Sequence, residues 1–215
     1  KGSGALKAER AWETHFDREL RRSVRQAKQV PVLINYSVGK RRFEKHPDKA
    51  DLDLIAKVDE QDIPYWVPTD PLPKGDKTSD PFNVGITHVH EFYTRRNLWT
   101  LAALWSKLPR RQRWLATMIL ARNMTRSNRF VINGYNPTGR INGPLTGTFY
   151  IPSEQVEQSP FSLLEEKMPK ANWAINGTLI STQGTENIAV LPNSVDYIFV
   201  DPPFGANYMY SELNF

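Results

Sequence analysis

The sequence contains no cysteine. Disulfides and thiolate metal sites are excluded within this chain, and the absence fits a reducing compartment, so a cytoplasmic setting is expected. Long apolar runs are also missing. No stretch approaches the roughly 18 consecutive apolar residues of a membrane span, so no membrane partner is expected. The opening KGSGALKAER is charged and lacks an apolar centre, which does not read as a signal peptide. The Gly39-Lys40 pair lacks the spaced upstream glycine of a phosphate loop. Most telling, residues 92–153 contain no acidic residue at all.

What is present is ordinary in amount and uneven in placement. Hydrophobic residues make up 40% of the 215, enough for a core. Net charge is +5, but residues 1–50 carry 13 basic and 6 acidic groups, and residues 51–91 carry 3 and 9. The acid-free stretch holds 10 basic groups, and residues 154–215 hold 2 basic and 8 acidic. A long basic tract suggests a positive surface for a polyanion, most plausibly nucleic acid. The competing reading is a solvated basic face with no partner.

Residues 5–28 read as a helix, because Trp12, Phe16, Leu20 and Val24 recur every four residues. Val30–Tyr36 reads as a short strand, and a helix is expected around Leu52–Val58. Residues 64–85 hold five prolines and read as a loop or linker. Helical spacing of Leu98, Leu101, Leu104, Trp105 and Leu108 predicts a helix over about 94–108, and Pro109 opens a second one to about 123. Glycines among Val, Ile, Phe and Tyr over 129–152 suggest a hairpin or glycine-rich loop. A short helix is expected at about 160–168, and strands near 177–183 and 195–200. His88, His90 and Glu91 could in principle ligate a metal. With no third strong ligand nearby, the expectation is no metal site.

The chemistry-bearing stretch is NSVDYIFVDPPF, Asn193 to Phe204. Its apolar run reads as a strand covered on both faces, as in a parallel sheet. Pro202 and Pro203 donate no ladder bonds and must end it. Asp201 would then stand at a carboxyl strand end, where open α/β sheets bind ligands.

The whole segment 181–215 resembles the catalytic region of amino-group DNA methyltransferases, which modify adenine N6 or cytosine N4. Their signature is Asp, Ser or Asn, then Pro-Pro, then an aromatic residue. Asp201, Pro202, Pro203 and Phe204 fit it. The tail Tyr210-Ser211-Glu212-Leu213 is similar to a subgroup of large bacterial DNA methylases, as is Phe92–Leu98. The resemblance implies S-adenosylmethionine as cofactor, duplex DNA as substrate, and a restriction or defence protein as a further partner. It implies that Asp201 and the Pro202 carbonyl accept the two amine hydrogens, with Phe204 stacking the flipped base. Gly184 and Thr185 fall where the family contacts the cofactor, although an acid usually stands at the threonine position. Asn207, Tyr210 and Glu212 would line the same edge. Arg95, Arg96, Arg110, Arg111, Arg113, Arg122, Arg126 and Arg129 are candidate phosphate contacts.

These features predict an α/β chain: part of a Rossmann-like methyltransferase sheet with a helix-rich basic insertion. Residues 1–84 form a helical or mixed insertion with a proline-rich linker. Residues 85–170 form a basic helical segment with a glycine-rich hairpin, and 171–215 belong to the catalytic domain. The family's cofactor-binding glycine turn is not recognisable in the sequence. The chain therefore reads as an internal fragment, inactive alone. Methylation of RNA or of a protein glutamine, and a non-catalytic DNA-binding module of a defence system, are the alternatives.

Overall fold

The computed structural model describes residues 9–133, 136–167, 184, 190–202 and 212, the side chains of 111, 114, 115, 132, 133 and 136–140 aside. Two hairpins come first. Strand β1 (Trp12–Asp17) pairs antiparallel with β2 (Arg22–Ala27), and β3 (Ile34–Val38) pairs with β4 (Arg41–Lys45). Helix α1 (Lys49–Asp59) follows. Its Asp48 cap and Asp51 exchange side-chain-to-backbone bonds in a capping box. A single helical turn, α2 (Ser79–Phe82), and a 3-10 turn (Val89–Phe92) lead into α3 (Arg95–Lys107) and α4 (Arg110–Leu120). Strands β5 (Arg129–Asn133) and β6 (Asn136–Asn142) form the third hairpin, and α5 (Pro160–Lys167) comes last.

The helix expected over 5–28 is a hairpin instead. The spacing of four that suggested it is even, so it fits a strand's period of two as well as a helical turn. Trp12 and Phe16 do share a face, but with Thr14 between them on a strand. The chain reverses at Arg18–Arg21, where Arg21 takes a left-handed φ of 53° and the Asp17 carboxylate accepts the Leu20 amide at 2.7 Å. The strand expected at 30–36 lies further along, at Ile34–Val38, leaving Val30 and Val32 exposed. The helices near 52–58, 94–108, 109–123 and 160–168 and the hairpin in 129–152 are present with small changes in extent.

The strand expected at 195–200 is absent. Val195, Tyr197, Ile198, Phe199 and Val200 run without strand pairing and are 48–80% exposed. A central strand needs a partner on each edge, and no described residue supplies one. All strand pairing between named elements is antiparallel and two-stranded, so no Rossmann-like sheet forms among the described residues. The strand expected at 177–183 lies outside the described residues.

Two apolar clusters hold the described structure together. Leu72, Val84, Ile86, Phe92 and Ile151 form the first, joined by Ala27, Phe82 and Phe149. Leu120, Met124 and Leu163 form the second, where α4 meets α5, and Tyr93 touches both. Burial pushes the Tyr93 hydroxyl up to about 12, so it stays neutral between them. The proline-rich loop is tied down rather than free. Leu72 donates to the Thr87 carbonyl, Val89 to that of Asp70, and His90 to that of Pro68.

Candidate functional site

Among the described residues, a buried polar assembly joins β2 to the 3-10 turn, where residues far apart in sequence converge. The amide of Gln26 on β2 donates to Glu91 Oε1 at 2.9 Å. The other carboxylate oxygen of Glu91 accepts from the Thr87 and His88 amides, closing the 3-10 turn. Arg126 lies between α4 and β5. It donates to Gln26 Oε1 at 3.0 Å and to the Glu91 carbonyl at 3.2 Å. Burial pushes its guanidinium down to about 10, against the pull of Glu91 and Glu13. Arg126, a candidate phosphate contact from sequence, has a different setting here. It is buried, and its bonds tie β2 to the 3-10 turn.

Beside this network Asp17 Oδ2 meets His90 Nε2 at 2.8 Å, with both side chains nearly covered. Burial raises the Asp17 carboxyl, but the bonds from His90 and the Leu20 amide outweigh it and hold the group below the usual carboxylate range. A group depressed in the folded state contributes stability above its unfolded value, lost as pH falls through the folded one. Asp17→Asn should therefore lower the urea midpoint at pH 7, and the deficit should narrow below about pH 4, as Asp17 itself protonates in the wild type. Denaturation curves at the two pH values read this directly.

Asp17, Glu19 and His90 bring three potential ligand atoms within 4.8 Å of one another. The two carboxylates are already engaged, while the buried His90 Nδ1 has no hydrogen-bond partner among the described residues. Arg95 holds both oxygens of Glu19 at 2.8 and 3.0 Å, and His90 holds Asp17. In the His88–His90–Glu91 set considered from sequence, His90 Nε2 turns to Asp17, while His88 Nδ1 bonds the Thr87 hydroxyl and stays 3.8 Å from Glu91. An open apolar groove of about 410 Å³ runs beside α3 and is lined by Trp99, Leu104, Leu108 and Phe161. Its charged residues are Arg96 and Lys107, and it carries no acid.

The methyltransferase-like residues stand apart from this assembly. Asp201 and Pro202 are exposed on a segment without regular secondary structure, and Gly184 is exposed. Pro203, Phe204, Thr185, Asn207 and Tyr210 lie outside the described residues. Glu212 has a setting that sequence did not suggest. Its carboxylate is buried in the 73–78 loop, accepting from the Lys77 amide at 2.7 Å and the Thr78 amide at 3.3 Å. A Cβ at Gly75 would fall 2.1 Å from the Glu212 carboxyl carbon, so a larger residue there would push the carboxylate off these two amides.

Most of the candidate phosphate-contacting arginines are spent internally. Arg95 bonds Glu19 and the Gln61 carbonyl, and Arg96 pairs with Glu157. Arg113 stacks over Trp105 at 5.3 Å and donates to the Leu108 carbonyl. Arg122 donates to the Pro144 carbonyl, and Arg129 to that of Gly143. Arg110 remains exposed, and the Arg111 side chain lies outside the described ones. Six of these eight arginines are therefore engaged, by Glu19, Glu157, Gln26 and the Gln61 and Glu91 carbonyls outside the acid-free tract and by the Leu108, Gly143 and Pro144 carbonyls within it. Sequence reasoning missed Asp17, Gln26 and Arg126 as one assembly, and nothing local in the sequence marks it. It also passed over Lys40, Arg41 and Arg42, whose signal was the run of charge directly after Gly39.

Comparison of the chain with protein-family models, with curated proteins and with solved structures finds no match in any of the three.

Proposed function

We propose that this chain carries the amine-binding motif of an S-adenosylmethionine-dependent DNA methyltransferase, acting on adenine N6 in preference to cytosine N4. One observation carries the reading. Asp201-Pro202-Pro203-Phe204 follows an apolar run in the order that family uses, within the longer likeness over 181–215. The exposure of Asp201 and Pro202 leaves both proposed acceptor groups accessible to a substrate.

S-adenosylmethionine supplies the methyl group in this reading. The described residues do not build a cradle for it: Gly184 is exposed, and no spaced glycine turn is recognisable in the sequence. The chain's own part is to hold the acceptor. An exocyclic base amine is a poor nucleophile because its lone pair is delocalised into the ring. The Asp201 carboxylate accepts one amino hydrogen and the Pro202 carbonyl the other. Two acceptors so placed favour a pyramidal nitrogen and stabilise the positive charge that develops there. Asp201 can receive the proton after transfer, so it need not be a strong base beforehand.

The test uses the intact gene product with isotope-labelled S-adenosylmethionine and duplex DNA, beside Asp201→Ala. Label on adenine N6 that falls at least about a hundredfold in the variant supports the reading. Label on cytosine N4 corrects the target. No label on DNA of varied sequence, with DNA binding intact, would overturn the reading in favour of a non-catalytic DNA-binding module.

A further inference from the structure

We propose that the β3–β4 hairpin is the duplex-DNA contact of this protein, entering the major groove with Lys40, Arg41 and Arg42 at its tip. The inference takes the identity of the polyanion from the reading above and otherwise stands on the geometry of the ribbon.

Neither strand of the hairpin contains a buried residue, so both faces are open. Gly39 has φ +61° and opens a two-residue turn between Val38 and Arg41, with glycine at the position where a primed hairpin turn needs it. The tip is thus tight and stiff. Tyr36 and Phe43 face each other across the strands and stack at 5.5 Å with 23° between their planes. Each ring already covers a face of the other, which braces the ribbon and leaves less ring surface for unpaired bases.

The charges at the tip differ from those of the acid-free tract. Lys40, Arg41 and Arg42 are exposed and make no ion pair or side-chain hydrogen bond with any described residue. Three adjacent cations with no ion-pair partner among the described residues are complementary to phosphate. The register places Asn35, Ser37 and Arg42 on one face, together with Glu44, the ribbon's one acid. Arg and Asn are side chains that can meet base edges in pairs of hydrogen bonds, and Glu can accept from cytosine N4. A two-stranded ribbon, with strands about 5 Å apart, fits a major groove about 12 Å wide.

The experiment measures binding of a fluorescent duplex by the purified protein without cofactor, over a series of salt concentrations. The triple variant K40A/R41A/R42A is compared with wild type and with R110A/R122A. Circular dichroism checks that each is folded. The proposal expects the triple variant to bind about a hundredfold more weakly at 0.1 M salt and to lose about 2 to 3 from the log–log salt slope, as two phosphate contacts from Lys40 and Arg41, or three with Arg42, would give. R110A/R122A should stay within about threefold of wild type. An unchanged affinity and slope in the triple variant, or tighter binding to single strands or RNA than to duplex, overturns it. Duplex binding that follows these expectations in wild type and both variants, with no methylation of DNA by the intact gene product, sinks the catalytic reading alone.

Discussion

Arg126→Met is expected to lower the free energy of unfolding by about 3 kcal/mol, seen as a shift of the urea midpoint at unchanged slope. The substitution keeps much of the volume and removes the donors. Gln26 Oε1 and the Glu91 carbonyl lose a partner while remaining covered, and the Glu91 carboxylate loses its nearby positive charge. A guanidinium already pushed down by burial shows that the charge itself is costly here. The destabilisation comes from what is left behind, because deleting one member of a buried polar set strands the others. A loss below about 1 kcal/mol would mean that water takes the place of the guanidinium.

Gly85→Ala should cost about 2–5 kcal/mol. Its φ of +83° is left-handed, which costs an alanine roughly 1–2 kcal/mol. The added methyl would also lie 2.3 Å from the Arg25 carbonyl oxygen and 2.9 Å from the Gln26 Cα. These are backbone atoms of β2, so relief requires moving the strand, and overpacking of this kind costs about 1–3 kcal/mol. The same movement breaks the bond from the Ala27 amide to the Val84 carbonyl and disturbs Gln26 beneath it. Thermal unfolding of the variant would show the loss. Stability within 0.5 kcal/mol of wild type would mean that the close approach of this loop to β2 is not held in solution.

The two variants probe opposite ends of what could be read from sequence. Local signals served where one period fitted alone. The Leu98–Leu108 pattern fits only a helix, and α3 is where it predicts. The Trp12–Val24 pattern fits two periods, and only the pairing with Arg22–Ala27 decides between them. The apolar run before Asp201 has the composition of a covered strand, but covering is a property of neighbours, and the described neighbours do not cover it. Arginine function was the least legible. A count of charges says nothing of which cation finds a carboxylate across 76 residues, as Arg95 finds Glu19, and which is left at a hairpin tip.

The exposed run itself has a bearing on handling the protein. Tyr197-Ile198-Phe199-Val200 combines strong strand propensity with 63–80% exposure, the profile of a segment that pairs between molecules. Asp196 precedes it, and Asp201 with two prolines closes it. Charges and prolines at the ends of such a run act as gatekeepers against stacking. Asp201 would thus hold two posts, one at a substrate amine and one guarding against fibrils, and a substitution that silences the first also removes a charge from the second.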